Sequence, residues 1–127
     1  MTYRPKALFC DVARTILTHD HELRTDVAGA LLTAQAAGMR VVLASARSPR
    51  GLRHVHDAIG LRGPAICFNG AWSGCFDPAE SWSDLRLDRA VALQILAEAR
   101  SLGLAAVWGC AEAVHALHED AKQASHK

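Results

Sequence analysis

The sequence lacks the features that would place it in several large classes of protein. No apolar run approaches the length of a transmembrane span. Basic and acidic residues nearly balance, at 14 and 13, and form no basic stripe, which argues against nucleic-acid binding. The amino terminus M-T-Y-R-P-K is polar and runs directly into an apolar segment, so we expect no signal peptide and no membrane association.

Cysteine is also sparse, and no two of the four cysteines form a C-x-x-C pair. They are Cys10, Cys67, Cys75 and Cys110. Two lie within apolar runs, so we interpret the thiols as reduced and mostly buried, in a cytoplasmic protein. The length of 127 residues, half of them apolar, predicts one small domain with a single core.

Apolar runs and helical patterns alternate up to Gly70. Ala7–Val12 and Arg40–Ala44 are typical of parallel strands buried on both faces, and Pro64–Phe68 predicts a third, shorter strand. Between them, apolar residues recur at helical spacing in Thr25–Gly38 and Ser48–Gly60. This order predicts right-handed crossovers and a parallel sheet, hence an α/β, Rossmann-like fold.

The pattern changes after Gly70. Ala71–Phe76 and Ser81–Leu87 flank a turn that contains Pro78, and they predict an antiparallel hairpin. The rest of the chain predicts, in order, a helix (Asp88–Gly103), a strand (Leu104–Trp108) and a helix (Glu112–Ala124). We therefore expect an α/β core over residues 1–72 and a smaller α+β region over residues 73–127.

Polar side chains follow each of the first three predicted strands. The carboxyl ends of parallel strands meet at one crevice, so we expect these side chains to lie close together. A carboxylate there can attack phosphorus, while hydroxyl and backbone N–H groups hold the phosphoryl oxygens of a phosphate ester. Asp11 is the candidate catalytic residue, and the candidate substrate-binding residues are Thr15, Ser45, Arg47, Asn69 and Gly70.

Two further points bear on Asp11. Mg²⁺ would be required to offset the repulsion between this carboxylate and an anionic substrate. Taken alone, an aspartate at a strand end is more often a helix or turn cap than a nucleophile.

The order and spacing of these residues resemble the haloacid dehalogenase-like superfamily, and within it the Cof-type sugar-phosphate phosphatases. That family has D-x-D-G-T-L, T-G-R and N-G-A after its first three strands. This chain has D-V-A-R-T-I from Asp11, S-A-R from Ser45 and N-G-A from Asn69. The resemblance is strongest over residues 6–76. It implies the N-terminal half of a phosphatase core followed by part of an α+β cap.

The resemblance implies roles for individual residues. Asp11 matches the nucleophile and Mg²⁺ ligand, and the backbone carbonyl of Ala13 would be a second metal ligand. Ser45 matches the phosphate-binding hydroxyl, and Arg47 and Asn69 match positions that line the substrate side of the crevice. The expected ligand is a small phosphorylated metabolite or phosphate.

The chain also departs from the family. Ala13 replaces the general acid/base aspartate, whose assistance is worth on the order of 10²–10⁴ in rate. Arg14 and Ala46 replace turn glycines. The family's phosphate-binding lysine and acidic metal-binding pair follow the cap, and no residue here matches them. We therefore expect a truncated phosphatase-family protein that binds Mg²⁺ weakly and is weak or inactive.

Two alternatives stay open: a non-enzymatic binding or assembly module, and a half-protein completed by another chain. In the resembled fold the strand beyond Ala7–Val12 comes from the half that this sequence does not match. We therefore expect Ala7–Val12 to lie at the edge of the sheet and to favour a homo-oligomer or a complementing chain. A zinc site is a third possibility, because Glu112, His115 and His118 have helical spacing. A solvated polar helix face explains these residues more simply.

Overall fold

The computed structural model describes residues 3–116, which form two sheets and three α-helices. The main sheet has the spatial order β1-β2-β3-β4-β5, with strands β1 Ala7–Asp11, β2 Arg40–Ala44, β3 Ala65–Cys67, β4 Trp72–Phe76 and β5 Ala79–Asp84. The helices are α1 Thr25–Ala36, α2 Pro49–Ile59 and α3 Arg89–Ser101. The second sheet is a short antiparallel ribbon of β6 Val107–Gly109 and β7 Val114–Ala116.

The α/β architecture predicted from the sequence is confirmed. β1, β2 and β3 pair in parallel, and β4 and β5 add to them as an antiparallel hairpin. α2 begins where predicted: Ser48 Oγ accepts a hydrogen bond from the Gly51 amide at 3.1 Å, and Pro49 occupies the first turn. The hairpin continues the core sheet, and the division of the chain after residue 72 stays a prediction.

One side of the sheet and the first two helices enclose the core. Leu43 of β2 and Leu52 of α2 are completely buried, and they share a cluster with Leu31 of α1. Cys67 belongs to the same cluster, and burial raises the pKa of its thiol to about 12. The interpretation of this cysteine as a buried thiol that packs in the core is therefore confirmed.

β1 is not the buried strand that its apolar composition predicts. Among the described residues it pairs with β2 alone, and the side chains of Leu8 and Phe9 are 37% and 65% exposed. The expectation of burial on both faces is wrong, whereas the expectation of an edge strand is confirmed. Composition cannot separate the two cases, because burial of a strand depends on neighbours that are distant in sequence.

The last predicted helix is wrong over the residues that the structure describes. Val114–Ala116 is strand β7, which pairs with Val107–Gly109, and the remainder of the predicted helix lies outside the described residues. The strand predicted at Leu104–Trp108 is also displaced toward Gly109. The helical spacing of apolar residues here is overridden by pairing between strands.

This correction removes the helix on which the zinc hypothesis depended. Glu112 precedes β7, His115 lies within it with its ring stacked on Trp108 at 5.5 Å, and His118 is outside the described residues. In residues 3–116, no group of three or more His, Cys, Asp or Glu side chains is placed to hold a metal ion. Nor does any helix in this range have the length and apolar character needed to cross a bilayer.

Arg14 has a left-handed backbone, with φ of +60°, in the turn that follows β1. A side chain in this conformation costs about 1–2 kcal/mol, whereas glycine adopts it freely. After allowing for the greater freedom of glycine in the unfolded chain, Arg14→Gly should raise the free energy of unfolding by about 0.5–1 kcal/mol. Urea denaturation measures the change. As a control, Arg53→Gly, at an exposed position in the interior of α2, should lower the free energy of unfolding by about 1 kcal/mol. A lower free energy of unfolding in both variants would contradict the assignment of strain to Arg14.

Candidate functional site

The ends of the three parallel strands meet at one edge of the sheet. The parallel register places Asp11 opposite Ala44, the residue directly before Ser45. The Ser45 amide donates to the carbonyl of Ile66 at 2.9 Å, and the Asn69 amide donates to the carbonyl of Ser45 at 3.1 Å. The structure thus brings the predicted site segments after β1, β2 and β3 to the same carboxyl edge, hereafter the crevice.

Asp11 is exposed, and one of its oxygens is held by a neighbour. The carbonyl of Val12 accepts hydrogen bonds from the amides of Thr15, Ile16 and Leu17 at 3.0–3.2 Å, which folds the chain back after β1. This turn lets Thr15 Oγ1 donate to Asp11 Oδ2 at 2.9 Å. Thr15 therefore orients the carboxylate, and Oδ1 is left for a ligand.

Ser45 is prepared to donate a hydrogen bond. Its Oγ accepts from the amide of Arg47 at 3.1 Å, so the hydroxyl proton can be given to another acceptor. The carbonyl of Arg47 in turn accepts from the Phe68 amide at 2.9 Å. The main chain of the Ser45–Arg47 segment is thereby fixed to the segment that follows β3.

Asn69 and Gly70 lie in a short 3-10 turn, Phe68–Gly70, and are exposed. Phe68 and Asn69 have positive φ values of 50° and 53°. In the described part of the chain, non-glycine residues with positive φ are found only in the loops that follow β1 and β3: Arg14, His21, Phe68 and Asn69. Backbone strain of this kind is concentrated where a ligand site is formed in many proteins.

The ribbon of β6 and β7 packs directly against this turn. A Cβ atom at Gly109 would lie 3.1 Å from Phe68 Cζ. The ribbon is tied to the segment after β5, because Arg86 forms an ion pair with Asp84 at 2.7 Å and lies 3.9 Å from Glu112. The Cys110 thiol and the backbone amide of Glu112 itself lower the pKa of the Glu112 carboxyl, and the charge of Arg86 adds a smaller effect in the same direction.

Sequence reasoning missed one residue of this edge, His21. Its Nδ1 lies 3.4 Å from Arg47 Nη2. The two residues are 26 positions apart, and no local pattern in the sequence indicates that they meet. A separate cavity of about 440 Å³ between α2 and the hairpin is lined by Arg50, Trp72 and Glu80 among others, and includes none of the candidate site residues.

The family model described as haloacid dehalogenase-like hydrolase matches residues 8–127. The chain belongs to this family. This family assignment agrees with the geometry of the crevice, where the segments that carry the family motifs come together. No curated protein matches the chain closely enough to count as a relative.

Several solved structures share the fold. A hypothetical protein from Geobacillus kaustophilus HTA426 is 25% identical, with a TM-score of 0.78 over 92% of this chain and 44% of its own. A haloacid dehalogenase-like hydrolase from Bacteroides thetaiotaomicron is 19% identical, with a TM-score of 0.83 over 91% of this chain and 45% of its own. A subclass IIB sugar phosphatase of the superfamily is 21% identical, with a TM-score of 0.75, over 93% of this chain and 46% of its own. The chain therefore spans less than half the length of these proteins.

Proposed function

We propose that the crevice binds the phosphate group of a small phosphorylated metabolite, with Asp11 at the position of the nucleophile. The observation that supports this most directly is the register of β1 and β2, which sets Asp11 beside Ala44 and the adjoining Ser45. A carboxylate, a hydroxyl that can donate and a guanidinium are then available at one edge. This set suits an anion with several oxygens better than a neutral ligand.

The roles of the side chains follow from their hydrogen bonds. Thr15 holds Asp11 Oδ2, so Oδ1 is the oxygen that would approach phosphorus. The Ser45 hydroxyl and the guanidinium of Arg47 would hold phosphoryl oxygens, with Asn69 and Gly70 at the far wall. Ala13 has no proton to give to the leaving oxygen, so binding without appreciable turnover is the activity that this set of residues supports.

Magnesium fits this edge in part. Asp11 has one carboxylate oxygen that Thr15 does not hold, and Ala13, an exposed residue, would supply its backbone carbonyl as the second predicted ligand. Mg²⁺ commonly binds through one or two protein carboxylates and completes its shell with water and substrate phosphate. When bound, it would offset the negative charge of the phosphate beside Asp11. With two protein oxygens, binding of Mg²⁺ alone should be weak.

The proposed class of substrate and the proposed subclass of the family both rest on the similarity of the fold to solved structures. The similarity to a subclass IIB sugar phosphatase supports a Cof-type assignment and a sugar phosphate as the ligand. The four described cysteines are all free thiols, which supports a reducing, cytoplasmic location.

Titration of the ¹⁵N-labelled chain with inorganic phosphate tests the proposal. The amides of Asp11–Thr15 and Ser45–Arg47 should shift, and Ser45→Ala should weaken binding roughly three- to tenfold, because one hydrogen bond is lost. Ser83→Ala, at a serine outside the crevice, is the matched control and should leave the affinity unchanged. Shifts confined to Val107–Ala116 would contradict the proposed site.

A second candidate function is that of an assembly module or a half-protein that another chain completes. It is favoured by the edge position of β1 and the exposure of Phe9. An apolar edge strand offers unpaired backbone groups to a strand of another chain. This function is compatible with phosphate binding, because β1 pairs on one side and presents Asp11 at its end.

A further inference from the structure

His21 is held in a tight turn that reaches the crevice from one side. The Thr18 amide donates to the carbonyl of Glu22 at 2.8 Å, and the His21 amide donates to the carbonyl of Thr18 at 3.0 Å. Thr18 Oγ1 also accepts from the Glu22 amide at 3.1 Å. A bridge between Leu17 and Leu23 closes the base of the turn. His21 has a φ of +62°, an uncommon backbone conformation that the hydrogen bonds of this turn hold in place.

The contact with Arg47 constrains the role of one ring nitrogen. A guanidinium has donors only, so in a hydrogen bond with Arg47 Nη2, which lies 3.4 Å away, His21 Nδ1 is the acceptor. This hydrogen bond selects the tautomer that carries its ring proton on Nε2.

The positive charge of the Arg47 guanidinium is available to a ligand. Its backbone is fixed by Ser45 and Phe68, but the ion pairs among the described residues do not include its side chain. An arginine side chain carries about 2 kcal/mol of rotamer entropy. An imidazole nitrogen that accepts this hydrogen bond restricts the guanidinium without cancelling its charge, which a carboxylate would do.

We propose that His21 is a positioning residue of the crevice, which holds Arg47 Nη2 so that the remaining guanidinium donors are presented to a bound phosphate. The inference rests on the proposed function, since it assigns His21 to the same phosphate site. His21 acts through Arg47, and its effect requires an acceptor at the place of Nδ1.

The test compares the affinity of the full chain for inorganic phosphate across three variants. His21→Gly keeps the left-handed backbone but removes the acceptor, and should weaken binding roughly three- to tenfold. His21→Asn keeps an acceptor oxygen at the place of Nδ1 and tolerates the left-handed backbone, so its affinity should stay within about twofold of the original. His19→Ala, in the same turn, is the matched control and should have no effect.

A double-mutant cycle distinguishes positioning from a general structural effect. In an Arg47→Ala background, His21→Gly should produce no further loss of phosphate affinity, because the guanidinium on which His21 acts is gone. A thermal unfolding curve of each variant checks that the variant is folded under the conditions of the binding measurement. A loss that persists in the Arg47→Ala background, or an unchanged affinity in His21→Gly, overturns the inference and leaves the proposed function standing. Absence of phosphate binding by the original chain overturns both.

Discussion

A chain in which Ala13 is replaced by aspartate is expected to hydrolyse an alkyl phosphate such as glucose 6-phosphate roughly 10²–10⁴ times faster than the original chain in the presence of Mg²⁺, which is the value of general acid–base assistance for a leaving oxygen that must be protonated. The original chain should show negligible turnover, because the methyl group of Ala13 cannot protonate the leaving oxygen and because no residue of this sequence matches the family's phosphate-binding lysine or its acidic metal-binding pair. Ala13 is exposed in the turn between Asp11 and Thr15, so a longer side chain meets no buried neighbour. Phosphate release with the protein in excess over substrate measures the difference.

Two variants make this result specific. Ala13→Asn matches aspartate in size and polarity but is not an acid, so its rate should stay near that of the original chain. Adding Asp11→Asn to Ala13→Asp should abolish the gained activity, because Asp11 is the proposed nucleophile. Equal rates in Ala13→Asp and Ala13→Asn would show that the missing acid is not what limits hydrolysis. Robust Mg²⁺-dependent turnover by the original chain would contradict the assignment of Ala13 as the defect.

The 127-residue chain by itself is expected to self-associate through β1. This strand is an edge of the sheet, its Leu8 and Phe9 side chains are exposed, and it carries no charge before Asp11. The other edge strand, β5, contains Glu80 and Asp84, which discourage pairing with a second chain. Sedimentation at micromolar concentration should therefore show a dimer or a higher oligomer.

Substitution at the two edges locates the interface. Phe9→Lys should raise the dissociation constant of the oligomer at least roughly tenfold, since burying a lysine there costs more than about 1.4 kcal/mol. Trp82→Lys, an equally drastic change on exposed β5, should leave it unchanged. A well-folded monomer in which the amides of Leu8 and Phe9 are protected from hydrogen exchange would show that the chain covers this edge by another route.

The sequence was sufficient to predict the elements whose signals are local. Ser48 and Pro49 at the start of α2, and Gly60 at its end, are capping residues that act within a few positions, and the structure has them in those roles. β6 and β7 were not predictable in this way. The spacing of Val114 with later apolar residues is compatible with a helix, and only the pairing of Val114 with Gly109 makes it a strand.

The distinction between local signals and contacts of distant residues also applies to the crevice. Asp11, Ser45 and Asn69 could be assigned to one edge because each follows a strand of a predicted parallel sheet. The partner of each side chain was not predictable, as shown by Thr15, which donates to Asp11, and by His21, which meets Arg47. Burial of β1 was also misjudged, because an apolar run does not reveal how many neighbours its strand has.

The register of the main sheet has a consequence for the order in which the fold is assembled. β4 and β5 are joined by a two-residue turn, from Phe76 to Ala79, whereas Ala7 pairs with Arg40, about thirty residues along the chain. Each doubling of a loop adds about 0.6 kcal/mol to the entropy cost of closing it, and contacts between distant segments form slowly for this reason. Asp11 and Ser45 come together only when the distant pair has closed. The crevice therefore depends on the least local contacts of the sheet, while the hairpin at the opposite edge can form without it.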